Sequence, residues 1–423
     1  CEAVLRAAWS SLASLRPARG VVMALLVRRD RAMIRAYKGL QALGARMTFG
    51  GEIGAPPESG AARRVIGILD GDQVWSGRIH VEGDVFVPPG VTLRIEPGAE
   101  IVFRADSQWD CVKECNVGKE WPQELEGKCR LLVGGRLIAE GTAQAPISWG
   151  GEAWAGIHFV TDSWGSSLSG VIISKTLCAA VTLTDSTQLA MSSSRLTDCE
   201  SGVAVLGRDA SVALVDCRIE RCRRRGLSCE GGALSARRVL VSDCGEIGVL
   251  AEQAELEFEE CTLSGSPVGL SLNGGSARLA GLKVSGASKA AFEFDGGAYE
   301  LRGSSVEDCG EAIRFGGGSL SLVDFEAGGC GSGVSQRAGE LSWSGGKISG
   351  GRFGLESAGL RIRLEAVLFQ DQSIAACRVE GGALTLRGVR VERAALGLAA
   401  AGPVDAEDFG LEGCARGVEL SAG

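Results

Sequence analysis

The sequence predicts an all-β chain, a right-handed parallel β-helix solenoid with coils of about 21–22 residues and a short α-helical N-terminal segment. Three observations carry this. First, a small residue recurs from Ala180 to Gly417, at Ala180, Gly202, Gly226, Gly248, Gly269, Ala291, Ala312, Gly333, Gly354, Ala376, Gly397 and Gly417, with spacings between 20 and 24 residues. Second, the residue after each marker is apolar: Val181, Val203, Leu227, Val249, Leu270, Phe292, Ile313, Val334, Leu355, Cys377, Leu398 and Val418. Third, the runs between markers alternate with period two, as in Gly-Leu-Ser-Leu from 269, which is the signature of strands.

Within a coil, a glycine corner usually follows the marker strand: Gly231-Gly232, Gly274-Gly275, Gly296-Gly297, Gly316-Gly317 and Gly381-Gly382. Paired glycines suit a bend that needs positive φ. A second alternating run comes next, such as Leu320-Ser-Leu322 or Leu384-Thr-Leu386, and a third short strand returns to the next marker. The rival repeats fail on period. A left-handed β-helix is built on hexapeptides, the leucine-rich frame does not recur, and 63 glycines are incompatible with helical repeats.

The 423 residues carry a net charge of −8, unevenly placed. Residues 1–48 hold nine basic side chains against Glu2 and Asp30, so the remainder is acidic and no nucleic-acid partner is expected. Residues 1–48 read as a basic amphipathic helical segment, broken at Pro17 and Gly20. It would either cover the open end of the solenoid or lie on an anionic membrane surface. Cys1 is the speculative lipid-attachment point of a bacterial lipoprotein, the alternative being an arbitrary starting residue. Residues 49–68 are a linker by composition, and 69–423 are the β-helix.

The run Gly71-Asp-Gln-Val-Trp75-Ser-Gly77, then Pro88-Pro-Gly90-Val-Thr-Leu-Arg-Ile-Glu96-Pro-Gly98, resembles the entry coils of secreted bacterial right-handed parallel β-helix repeat proteins of the pectate-lyase-like superfamily. Leu131-Leu-Val-Gly-Gly135 and Trp154-Ala-Gly156-Ile-His-Phe159 are similar to their next coils. The resemblance is specific over roughly 69–160. It implies the fold and an exported, envelope-associated location: periplasmic, outer-membrane-associated or extracellular. It implies no particular activity.

Between these coils lies an insert, 105–130, holding Cys111, Cys115, Cys129, Trp109 and Trp121. Excursions from a solenoid commonly carry function. Trp109 and Trp121 with Asp106 and Asp110 are the candidate ligand-binding residues, since exposed indoles stack on sugar faces. One disulfide among the three insert cysteines would pin the loop, while their spacing matches no zinc module, so no metal and no cofactor are expected.

Cys178, Cys199, Cys222, Cys244, Cys309, Cys330 and Cys414 each fall two to four residues before a marker and should stack at one corner. Cys309–Cys330 is a disulfide candidate there, against the reading of most such residues as buried thiols. Asp198, Asp243 and Asp308 read as corner residues. Arg221 and Arg223–Arg225 form a basic edge that Glu252, Glu255, Glu257, Glu259 and Glu260 would offset. No catalytic residue is assigned. Paired carboxylates or calcium-binding clusters are not recognisable, so the expected function is a non-catalytic envelope rod offering the insert or a lateral face to a protein partner or surface glycan. The alternative is a polysaccharide lyase, hydrolase or epimerase with a groove near 105–165.

Overall fold

The computed structural model describes residues 63–107, 127–152, 154–160, 163–184 and 186–421. It separates into two compact units, Cys1–Glu200 and Ser201–Gly423. Both are parallel β-solenoids, about 15 turns in all, with no helix among the described residues. The expected N-terminal helical segment, Cys1, Trp109, Asp110, Cys111, Cys115 and Trp121 lie outside the described residues. The first strand, Arg63–Ile68, pairs in parallel with Arg78–Val87. The solenoid therefore begins inside the stretch expected to be a linker.

Every turn has three walls. In the first unit, wall A stacks Leu131–Val133 on Ile157–Phe159 on Ala179–Thr184. Wall B stacks Thr92–Ile95, Arg136–Glu140, Ser166–Ser169 and Gln188–Ser192. Wall C stacks Glu100–Phe103, Ile147–Gly151, Val171–Ser174 and Arg195–Thr197. In the second unit, wall A runs from Ser201–Leu206 to Arg416–Ser421, in register throughout.

That register explains the repeat. Val203, Leu227, Val249, Leu270, Phe292, Ile313, Val334, Leu355, Cys377, Leu398 and Val418 sit each opposite the next. With Val181 of the first unit they make the twelve expected interior positions, and eleven are buried; Val418, on the last turn, is 47% exposed. Each buried Leu, Val or Phe contributes roughly 1.5–3 kcal/mol by leaving water. The marker before each is small because the next turn leaves no room. A Cβ on Gly333 would lie 2.2 Å from the Gly354 carbonyl oxygen and 2.6 Å from Ile348 Cδ1. In the same unit Phe325, Trp343 and Phe369 pack edge-to-face, at centroid separations of 6.0 and 5.5 Å.

The corners differ from expectation. Gly231, Gly274, Gly275, Gly296 and Gly382 do have positive φ. The other two corners place one left-handed residue on nearly every turn, and many are not glycine. One corner carries Asp198, Arg221, Asp243, Asp308, Asp371 and Arg393; the other carries Ser193, Asp216, Arg238, Glu260, Asp324, Ala366 and Asp408. Asp198, Asp243 and Asp308 are thus corner residues, as read from the sequence. The Asp308 carboxylate occupies the space over Gly329 of the following turn, where a Cβ would come within 2.2 Å of Asp308 Oδ1. Glycine is needed there for two reasons, its φ of 66° and that carboxylate.

Charges follow the same stacking rule. Arg238 makes two bonds to Asp216 on the preceding turn, at 2.7 and 2.9 Å, and Arg393 does the same with Asp371 at 2.7 and 3.0 Å. Arg224 pairs with Glu246 at 3.0 Å and Arg237 with Glu259 at 3.3 Å. The basic edge is therefore offset first by Glu246, not by the glutamate run from 252. Such exposed pairs add little stability individually. They pin neighbouring turns in register.

The cysteine stack is real but interrupted, Ser266 and Ala287 taking the corner between Cys244 and Cys309. Cys244 and Ser266 share the corner on successive turns, the Cys244 N–H donating to Ser266 Oγ at 3.2 Å. In the first unit the position under Cys199 belongs to Thr176, whose hydroxyl hydrogen-bonds that thiol; Cys178 lies off the stack. Cys129, Cys309 and Cys330 are free thiols, so the disulfides considered for them are not formed in this structure.

Candidate functional site

The insert leaves the first unit through a narrow neck. Asp106 and Lys128 form an antiparallel bridge, their side chains 2.7 Å apart, and the Ser107 N–H donates to the Gly127 carbonyl at 2.7 Å. Lys128 holds the Asp106 carboxyl below the usual carboxylate range by hydrogen bond and charge. Asp106 is thus committed to the neck. Behind it lies a buried ion pair. Arg130 Nε and backbone N–H both donate to Asp84 Oδ1, at 3.3 and 3.2 Å, with both side chains fully enclosed. The Asp84 N–H in turn donates to Ser107 Oγ at 3.0 Å. Arg130 stands immediately before Leu131, the place that a small marker takes elsewhere. Cys129 is pushed up to about 12 by burial and by Asp84, and is no nucleophile.

Wall A beside the neck is buried on both faces. Leu132, His158 and Thr182 are neighbours in register on its outward side, yet all three are buried. His158 Nε2–H donates to the Ala155 carbonyl at 2.8 Å, and burial brings its pKa down to about 4. The unfolded chain then binds a proton that the folded chain refuses between about pH 6.5 and pH 4. Stability should be full above pH 6.5 and fall by roughly 3 kcal/mol as pH drops to 4. Denaturant melts over that window would show it, and His158→Gln should remove that slope.

Walls B and C both present an exposed outer face, and wall B carries the exposed indole. Wall B begins at a corner, Ser163–Gly165, where the Gly165 φ of 71° turns the chain and the Arg136 Nε donates to the Gly165 carbonyl at 2.6 Å. Trp164 projects from this corner and is 69% exposed. The described tryptophans Trp75, Trp149, Trp154 and Trp343 are all buried. Along the wall from Trp164, Arg94 and Glu140 form an ion pair at 3.7 Å, Ser167 Oγ donates to Glu140 Oε1 at 3.4 Å, and Ser192 Oγ donates to Ser169 Oγ at 3.1 Å. An indole followed by a strip of guanidinium, carboxylate and hydroxyl groups can stack on a flat, partly apolar ring while hydrogen-bonding its polar edge. Among the described residues no group of three or more His, Cys, Asp or Glu is placed to hold a metal ion.

No protein-family model matches the sequence, and no curated protein sequence does. Solved structures do match. A GH87 alpha-1,3-glucanase catalytic domain in complex with nigerose aligns at 10% identity and TM-score 0.36, over 79% of this chain and 63% of that one. The A-module of a mannuronan C-5 epimerase from Azotobacter vinelandii aligns at 12% identity and TM-score 0.31, over 79% and 91%. An alginate lyase from Paenibacillus aligns at 11% identity and TM-score 0.26, over 77% and 93%. The fold is the right-handed parallel β-helix. These distant likenesses speak to the fold, and this chain spans less than two thirds of the glucanase domain's length. The expectation of a non-catalytic structural rod is corrected here. The structures matched include a glucanase, an epimerase, a lyase and a tailspike protein, none of them described as a structural rod.

Of the site residues expected from sequence, Asp106 is thus drawn into the neck pair. Trp164 is one of six tryptophans between residues 75 and 164, and its flanking residues alone do not mark it as the exposed one. Only its position at a corner, rather than on a strand, exposes it.

Proposed function

We propose that this chain is a carbohydrate-active β-helix protein that takes a polysaccharide along wall B of its first unit, with Trp164 as the stacking platform. The observation that carries this is the exposure of Trp164 on a chain whose other described indoles are all interior. Arg136 supplies a donor at that corner, and Arg94 and Glu140 lie further along the same wall, the usual division between a flat apolar contact and a few orienting polar groups. An exported location suits a polymeric substrate that stays outside the cell. The test is affinity electrophoresis through gels loaded with neutral and acidic polysaccharides. Retardation by at least one glycan is expected for the wild type. Trp164→Ala should weaken it tenfold or more, about 1.4 kcal/mol, with unchanged thermal stability. Chromatography of the incubated glycan separates hydrolysis or elimination, which shorten chains, from epimerisation, which does not. Absence of retardation by every glycan, or equal retardation of Trp164→Ala, overturns the proposal.

A further inference from the structure

Cys309 and Cys330 are neighbours on consecutive turns of the second unit. Glu307 faces Gly328 and Glu311 faces Ser332, which sets 309 directly opposite 330 on consecutive turns. The Gly331 N–H donates to the Cys309 carbonyl at 3.0 Å, fixing the two backbones together at that point. Parallel neighbours lie about 4.8 Å apart, inside the Cα range of roughly 4.4–6.8 Å that a disulfide requires. Both side chains are buried on the same corner, where the Cys309 S–H donates to the Glu307 carbonyl at 3.3 Å and the Cys330 S–H to the Gly328 carbonyl at 3.5 Å. Cys309 Sγ also accepts the Ala287 N–H at 3.3 Å.

We propose that Cys309 and Cys330 are a paired oxidation site, in which a peroxide converts the two thiols into a disulfide that staples consecutive turns of the second unit. The roles are unequal. The Ala287 N–H donates to Cys309 Sγ, whereas the resting Cys330 S–H donates to the Gly328 carbonyl at 3.5 Å; when Cys309 ionises, the Cys330 thiol beside it and that N–H favour the thiolate and bring its pKa down to about 7. The Cys309 neighbour and burial push Cys330 up. Cys309 is therefore the attacking sulfur and Cys330 the resolving one.

The step balances. The Cys309 thiolate attacks one peroxide oxygen, an S–O bond forms as the O–O bond breaks, and the departing hydroxide takes up the proton that Cys309 had released. The Cys330 sulfur then attacks Cys309, the S–S bond forms, and the sulfenic oxygen leaves as water with the Cys330 proton. Two thiols and one peroxide give one disulfide and two waters. Cys377 and Cys129, by contrast, are pushed up to about 12, mainly by burial. Cys222 and Cys244 form a similar stack, with Cys217 and Cys229 close in sequence as competing exchange partners.

The sequence provides its own readout. Trypsin cleavage after Arg302, Arg314 and Arg337 releases peptides 303–314 and 315–337, each with a single cysteine. The full chain is treated with hydrogen peroxide, alkylated, and digested without reductant. The expected result is a linked 303–314/315–337 species in most molecules, lost on adding dithiothreitol. In Cys330→Ser, whose hydroxyl matches Ser266 at the same corner, Cys309 should accumulate as a sulfenic acid trapped by dimedone. Recovery of both peptides separately alkylated, or of Cys309 as sulfinic acid beside an intact Cys330, overturns the proposal.

Discussion

Leu270→Asp is expected to unfold the turn that carries it. Leu270 is fully enclosed and lies in register between Val249 and Phe292. Losing the leucine forfeits roughly 1.5–3 kcal/mol of burial. The carboxylate adds a larger penalty, because every neighbour on the inner side of wall A is apolar and the group must either stay charged without a partner or take up a proton. Together the cost should exceed about 5 kcal/mol, comparable with the whole stability of many domains. A solenoid is held turn to turn, so the damage should be local first. Hydrogen exchange should rise in strands Ile247–Glu252, Val268–Asn273 and Ala290–Asp295, with a lowered melting temperature. A variant that melts and exchanges like the wild type contradicts the register.

The second large effect is at the insert neck. Arg130→Met should cost about 3–5 kcal/mol, because it strips the guanidinium from a carboxylate that has no access to water. The double variant Asp84→Asn/Arg130→Met should recover much of the loss, since neither charge is then left alone in the interior. Urea denaturation of the wild type, both single variants and the double variant gives the coupling. Costs that simply add would mean that the pair does not act as a unit.

The walls were legible in the sequence because each interior position recurs every turn, so the signal at Leu227, Val249, Leu270 and Phe292 reinforces itself. The corners were only partly legible. Glycine advertises a left-handed residue, and Asp243 or Asp308 can be guessed from their place before a cysteine. Arg221, Arg238, Glu260 and Ala366 cannot, because a left-handed conformation costs such residues about 1–2 kcal/mol and only the stacked neighbours impose it. The candidate site was less legible still. Alternation places His158 outward on Ile157–Phe159, yet wall A is covered on that side. The Asp84–Arg130 pair joins residues 46 apart in sequence and leaves no local pattern.

The carbohydrate reading stands on Trp164, and oxidative footprinting of the indoles tests it most directly. A polysaccharide that retards the protein should protect Trp164 from hydroxyl-radical oxidation, while Trp75, Trp149, Trp154 and Trp343 stay unreactive with or without it. Trp164 oxidised at the same rate in the presence of saturating glycan would contradict the account.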